Sequence, residues 1–201
     1  EELAKGLDVE LVVERHRLMT DMLVMALACN QTKVFNMVSF DSFSAATRQG
    51  SERTHHILTH EEGIDPDTGV QPQSSWFVQR SMEEWAYLVG ALANTPEGEG
   101  TMLDNTFAMH GSASSSFHLS QNYPIISAGG KNLGFNNGRY LKFGKGNEDN
   151  QAGAGISSRI GWRSDLEYDE VPLAHLFVTI LKRLGVETDE FAGFQGGLDR
   201  V

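Results

Sequence analysis

The chain has 201 residues, 40% hydrophobic and 21% charged, which is enough to bury the core of one globular domain or of a large piece of one. Its 16 basic residues are scattered among 27 acidic ones, and the net charge of -11 excludes the concentrated basic surface that binds nucleic acid. No window reaches the roughly 18 consecutive apolar residues of a membrane-spanning helix. We therefore predict neither a nucleic-acid partner nor a membrane span.

The first forty residues predict a helix followed by a strand. From about Asp8 to Asn30, apolar residues recur at three- and four-residue steps, which is typical of an amphipathic helix with Asp8 as its N-cap. The recurring positions are Leu11, Arg15, Leu18, Met22, Met25, Ala26 and Cys29. Cys29 is the only cysteine, and we expect it to be a small buried side chain. The run KVFNMVSF, residues 33 to 40, is short and rich in β-formers, and predicts a largely buried strand.

The middle of the chain predicts a long loop and a second helix. Residues 41–73 are polar and have no sustained period, so we expect a long histidine-containing loop there. Its place after a predicted strand favours a functional loop, because α/β folds build sites at the carboxyl ends of strands. Ser74 or Ser75 is suited to cap a helix from Trp76 to about Asn94.

The last hundred residues predict short strands and a closing helix. Residues 106–110, the run YPIISAGG and the run GRYLKF each read as a strand. The Gly-, Asn- and Asp-rich residues 144–170 predict an irregular loop, and Pro172 to Leu184 a helix with Gly185 just beyond its end. We expect one α/β domain over 1–201, or the C-terminal part of one. The charged opening run without an initiator Met suggests a fragment of a longer polypeptide.

Three histidines, His55, His56 and His60, lie within six positions and are followed by Glu61 and Glu62. On a helix, the four-residue spacing of His56 and His60 would place both imidazoles on one face, and a loop can also present two imidazoles to one ion. The glutamates could add oxygen ligands or hydrogen-bond the imidazoles. The alternative is a set of exposed histidines that titrate near pH 6.5 and coordinate nothing.

Other polar residues give weaker indications of a site. His110 ends a predicted strand and His118 follows in a serine-rich loop, where either side chain could point into a site above a sheet, although His110 could equally be half-buried and hydrogen-bonded to backbone. Ser112 and its neighbours could supply a nucleophile beside His118, but no Gly-x-Ser-x-Gly elbow is present. The glycines after residue 128 fit no phosphate-loop spacing, so we predict no nucleotide cofactor.

The order of several segments resembles the C-terminal half of the HxxSHH-motif family, a bacterial domain of unknown function that is similar to the alkaline-phosphatase-like superfamily. The motif falls on His56, Thr59 and His60, with Glu61 where the last histidine would stand. The resembling segments span nearly the whole chain: ERHRLMTDMLVMALACNQTKVFNMV, HHILTH, TPEGEGTMLDNTFAMHGS, the loop that holds His118, YPIISAGG, GRYLKF and PLAHLFVTILKRLGVETDEFAG.

The resemblance implies an α/β fold with a mixed sheet sandwiched by helices. It also implies export to the periplasm or the extracellular space, and hydrolysis of small anionic phosphate or sulfate esters with a divalent metal ion such as zinc, calcium or manganese. The implied ligands are His55, His56, His60, Glu61 and His118.

Two other functions stay open. A degenerate, non-catalytic member could serve as a structural or binding subunit among the protein subunits of an extracytoplasmic assembly, since Glu61 replaces a histidine and the loop around His118 holds few ligands. A carbohydrate- or peptide-binding module would use Trp76 and Trp162.

Overall fold

The computed structural model of the protein describes residues 8–40, 44–112, 123–143 and 171–198, and the backbone of 166–168. The chain divides into two compact units, Glu1–Met102 and Leu103–Val201. The loop predicted over 144–170 lies outside the described residues, apart from 166–168, which form a strand.

The described residues of the first unit form three α-helices: α1 (Val9–Ala28), α2 (His55–Glu61) and α3 (Pro72–Ala93). α1 and α3 confirm the two long helices predicted from the sequence. Pro72 occupies the first turn of α3, where its missing N–H costs nothing. The short strands β1 (Pro96–Glu97) and β2 (Gly100–Thr101) pair in antiparallel fashion after α3.

Helix α1 packs against α3 through the face that carries Val13, His16 and Thr20. Asp8 stands at the N-cap position but makes no side-chain cap, because its carboxylate accepts a hydrogen bond from Thr47 Oγ1 at 3.0 Å. The core of the unit is a cluster of four buried side chains, one from each of the three helices and one from the segment before α2: Val9, Ala46, Leu58 and Phe77.

The strand predicted over 33–40 is wrong. These residues adopt no regular structure and pair with no strand among the described residues, and Val34 and Val38 are 82% and 71% exposed. A run of β-formers becomes a strand only when a neighbouring backbone pairs with it, so its composition alone misled the prediction. Cys29 is exposed at the end of α1, which also contradicts the buried position expected for it.

The second unit contains an antiparallel pair, β3 (Phe107–Gly111) with β4 (Ile125–Gly129), and a parallel pair, β5 (Leu141–Phe143) with β6 (Leu166–Tyr168). Helix α4 (Leu173–Arg183) follows, and then the hairpin β7 (Glu190–Phe191) and β8 (Phe194–Gln195). Strands β3, β4 and β5 and helix α4 confirm the elements predicted there. Gly185 follows α4 with a φ of +83°, as predicted for the residue that ends a helix.

Gly129 shows why the run YPIISAGG ends in glycine. Its φ is +80°, and a Cβ at this position would collide with the carbonyl oxygens of Thr106 and Leu103. Only glycine fits this last position of β4.

The described strands form two-stranded sheets, three of them antiparallel and one parallel. The structure is therefore mixed helix and strand, and a larger mixed sheet sandwiched by helices stays a prediction. Within the described residues, none of the helices is both long and apolar enough to span a bilayer, consistent with the prediction of no membrane span.

Candidate metal site on the histidine helix

Helix α2 carries all three clustered histidines, so the prediction of a loop throughout 41–73 is wrong at its centre. Thr54 caps the helix, because its Oγ1 accepts a hydrogen bond from the Ile57 N–H at 3.3 Å. The N–H groups of His55 and His56 donate to the carbonyls of Ala46 and Ser44 at 2.8 and 3.2 Å. The first turn is thus held by the preceding segment, which local sequence does not reveal.

Glu62 joins α2 to α3. Its backbone ends α2, and its carboxylate accepts hydrogen bonds from the N–H groups of Gln73 and Ser74 at 2.7 and 2.8 Å, in the first turn of α3. Burial would raise the pKa of Glu62, but these hydrogen bonds outweigh it and hold the pKa below its ordinary value. Glu62 therefore does the capping that the sequence predicted for Ser74 or Ser75, and Ser74 lies inside the helix.

His56 and His60 lie side by side on α2. Their ring centroids are 4.8 Å apart and the rings meet edge to face at 72°. His60 is exposed and His56 is half-buried, so both rings border solvent. The four-residue spacing thus places both imidazoles on one face of the helix, as expected for residues i and i+4.

His55 faces the interior of the unit instead. Its ring stacks on Phe77 at a centroid distance of 4.8 Å and meets Phe40 edge-on at 6.0 Å. Its Nδ1 is buried and has no hydrogen-bond partner among the described residues. Burial lowers the pKa of His55, and the neighbouring His56 lowers it further. This imidazole is packed as an aromatic core side chain, away from the His56–His60 pair.

Glu61 also points away from the pair. Its carboxylate accepts a hydrogen bond from the Arg53 guanidinium at 2.9 Å, and both side chains are exposed. At about 100° per residue, Glu61 lies about 100° around the helix axis from His60 and about 140° from His56. Glu61 and Arg53 therefore form an ordinary surface ion pair.

The remaining candidates lie elsewhere. His118 and Trp162 are outside the described residues. His110 lies within β3, opposite Ile126 of β4. The Trp76 ring contacts Phe77 and lies beneath the guanidinium groups of Arg48 and Arg80, which are 5.1 and 5.3 Å from its centroid.

The geometry of α2 fits a part of a metal site. Two imidazoles on one helix face are suitable ligands for zinc or another divalent transition metal, whereas calcium prefers oxygen ligands. In the described part of the chain, no three or more His, Cys, Asp or Glu side chains are grouped so as to hold an ion. The pair can supply two ligands, and a stable site needs more.

Comparison with known proteins found no matching family model, no matching curated protein and no matching solved structure.

Proposed function

We propose that the chain is part of an exported, metal-dependent hydrolase of small phosphate or sulfate esters, in which His56 and His60 hold the metal ion. The observation that carries the proposal is the placement of the two imidazoles side by side at the surface of α2, 4.8 Å apart. The resemblance to the HxxSHH-motif family supports the hydrolase class and a periplasmic or extracellular location.

The chemistry of the proposed substrates agrees with a metal of this kind. A bound divalent ion supplies a Lewis acid for the ester oxygen and lowers the pKa of bound water. The role of this chain would be to present two imidazoles from a short helix that is fixed at both ends, by Thr54 and by Glu62. His118 is proposed as a further ligand, on the resemblance alone.

The second candidate is a non-catalytic subunit of an extracytoplasmic assembly. It is favoured by the way in which the other polar residues of the cluster are used. His55 packs on Phe77, Glu61 pairs with Arg53, and Glu62 caps α3. Each of these contacts contributes to the fold. A degenerate site that has lost its catalytic function would retain such structural contacts.

One assay distinguishes the two candidate functions. The full chain is supplied with zinc or manganese and tested on an aryl phosphate and an aryl sulfate. The hydrolase proposal expects turnover that His56→Ala and His60→Ala each reduce at least about 100-fold, while the helical circular dichroism signal of the chain is unchanged. His175→Ala, which removes an imidazole from α4, is the matched control and leaves turnover intact. Absence of turnover supports the non-catalytic subunit. Turnover that survives both substitutions contradicts the proposal that His56 and His60 hold the metal ion.

A further inference from the structure

The apolar stripe that predicts α1 in the sequence lies on the exposed side of the helix. Leu18, Met22 and Met25 are 46%, 58% and 60% exposed, and Cys29 at the end of the stripe is exposed as well. The opposite side of α1, with Val9 and Thr20, is buried. The packing of this unit therefore leaves the stripe uncovered from Leu18 onward, while Leu11 and Arg15 are partly buried.

The stripe is continuous and straight. Apart from Ala26, which lies to one side, its six positions alternate steps of four and three residues and stay within about 40° of one line along the helix. They are Leu11, Arg15, Leu18, Met22, Met25 and Cys29. The stripe extends about 27 Å, at 1.5 Å per residue. Arg15 is its only charged member.

The spacing is symmetric about Thr20. A second copy of α1, laid antiparallel across the first, brings Leu18 opposite Met22, Arg15 opposite Met25, and Leu11 opposite Cys29. Every position of the stripe then faces another position of the stripe, which is the self-complementarity that a two-fold interface requires. A parallel copy would instead place the two Arg15 guanidinium groups against each other, and like charges in an interface are disfavoured.

The exposed apolar area is of the size that such an interface needs. Leu18, Met22 and Met25 of the stripe, with Met19 beside it, together leave roughly 400 Å² of surface in solvent, against the roughly 800 Å², somewhat more than half of it apolar, that each partner buries in a standard interface. Methionine is also the apolar side chain that adapts best to a partner surface.

We propose that this face of α1, defined by its six stripe residues, is the interface of a homodimer in which two α1 helices pack antiparallel. The occupant of the face is a second copy of this chain. The inference is independent of the proposed metal site and of its chemistry.

Sedimentation equilibrium of the full chain tests the association. Wild-type protein is expected to be dimeric at micromolar concentration. Leu18→Glu combined with Met22→Glu is expected to raise the dimer dissociation constant at least about 100-fold, because two charges per copy must be desolvated. Val78→Glu, at a position of α3 that is also about half exposed, is the matched control and leaves the dimer intact. A wild-type monomer, which includes the case of a stripe covered by another part of the same chain, overturns the proposal. So does a dimer that the paired glutamates do not weaken.

Disulfide cross-linking tests the orientation without charged substitutions. Cys29 is the only native cysteine, so Leu11→Cys creates a single new partner for it. Under mild oxidation, the antiparallel dimer of this variant joins the introduced thiol of one copy to Cys29 of the other, and the wild-type protein forms no covalent dimer. Covalent dimers of the wild-type protein through Cys29, or none from the Leu11→Cys variant, contradict the antiparallel arrangement.

Discussion

Two adjacent glutamates, Glu61 and Glu62, have different roles. Glu62 accepts two backbone hydrogen bonds at the start of α3, and Glu61 makes an exposed ion pair with Arg53. We expect Glu62→Ala to lower the free energy of unfolding by about 1 kcal/mol, the usual cost of a lost helix cap. Glu61→Ala, the matched control, is expected to cost less than about 0.5 kcal/mol. Urea unfolding followed by Trp fluorescence measures both.

The pH dependence of the Glu62 effect has a definite sign. Its pKa in the folded chain lies below the ordinary 4.5, so the cap stabilises the protein above that pH and is lost as the pH falls through the folded value. The gap between Glu62→Ala and the wild type should therefore close in acid. A gap that is the same at neutral and at strongly acidic pH would show that the carboxylate does not act as a cap.

Two partly buried histidines, His16 and His55, are expected to make the first unit sensitive to acid. Burial lowers the pKa of both His16 and His55 below the ordinary 6.5, and for His16 it outweighs the nearby Glu84 carboxylate, 3.6 Å away. The unfolded chain then binds protons that the folded chain does not. Stability is accordingly full above about pH 6.5 and declines as the pH falls below it.

His55→Phe tests this account, because it keeps the ring stacked on Phe77 and removes the titrating group. We expect the variant to lose less stability than the wild type between about pH 7.5 and about pH 5.5 in urea unfolding. His175→Gln, a change on α4, is the control and leaves that loss unchanged. An equal loss in His55→Phe and the wild type would mean that His55 takes up its proton as easily in the folded protein as in the unfolded one.

The elements that were predicted correctly either have an apolar period that runs over many residues or have proline or glycine at their ends. α1 and α3 each exceed five turns, α4 is bounded by Pro172 and Gly185, and the β4 strand ends in glycines. α2 was missed because Leu58 is its only buried side chain, so seven residues show no apolar period. Its first turn is stabilised by Ser44 and Ala46, a contact between segments that local pattern cannot show.

The apolar period of α1 predicted the helix correctly but did not predict which of its faces is buried. The most regular stripe is the exposed one, and the buried side carries His16 and Thr20, which a hydrophobicity pattern does not select. In the candidate site, the sequence placed His56 and His60 together, as they are. It could not separate them from His55 and Glu61, because only the packing of Phe77 and Arg53 assigns those two side chains to other roles.

The pairing of α1 with α3 depends on one buried carboxylate. Glu84 is 3% exposed and accepts hydrogen bonds from both Nε and Nη2 of Arg17, at 2.9 to 3.2 Å. Removal of Arg17 leaves this charge without its main partner. We expect Arg17→Ala to cost about 2 kcal/mol, below the usual figure for a fully buried pair because Arg17 itself is half exposed.

Arg53→Ala is the matched control for this pair, since it removes an exposed ion pair of the same type and is expected to cost less than about 0.5 kcal/mol. Chemical denaturation at neutral pH gives both values. Equal costs for the two variants would indicate that the Glu84 carboxylate is stabilised without Arg17.

At the scale of the whole molecule, the described structure contains both helices and strands. No helix among the described residues is able to span a bilayer, consistent with the prediction from composition. The boundary between the two units, after Met102, directly follows the run TPEGEGT, residues 95–101, which forms the β1–β2 pair. Function at this level rests on whether the histidine helix binds a metal ion.

The most direct test of that claim is a zinc titration of the full chain, measured by isothermal titration calorimetry. Bound metal is first removed from the protein with a chelator. The proposal predicts saturable binding of one zinc ion per chain that His56→Ala and His60→Ala each weaken at least about 10-fold, while His55→Phe binds as the wild type does. Failure of the wild type to bind zinc, or binding that is unchanged when His56 and His60 are both replaced, would contradict it.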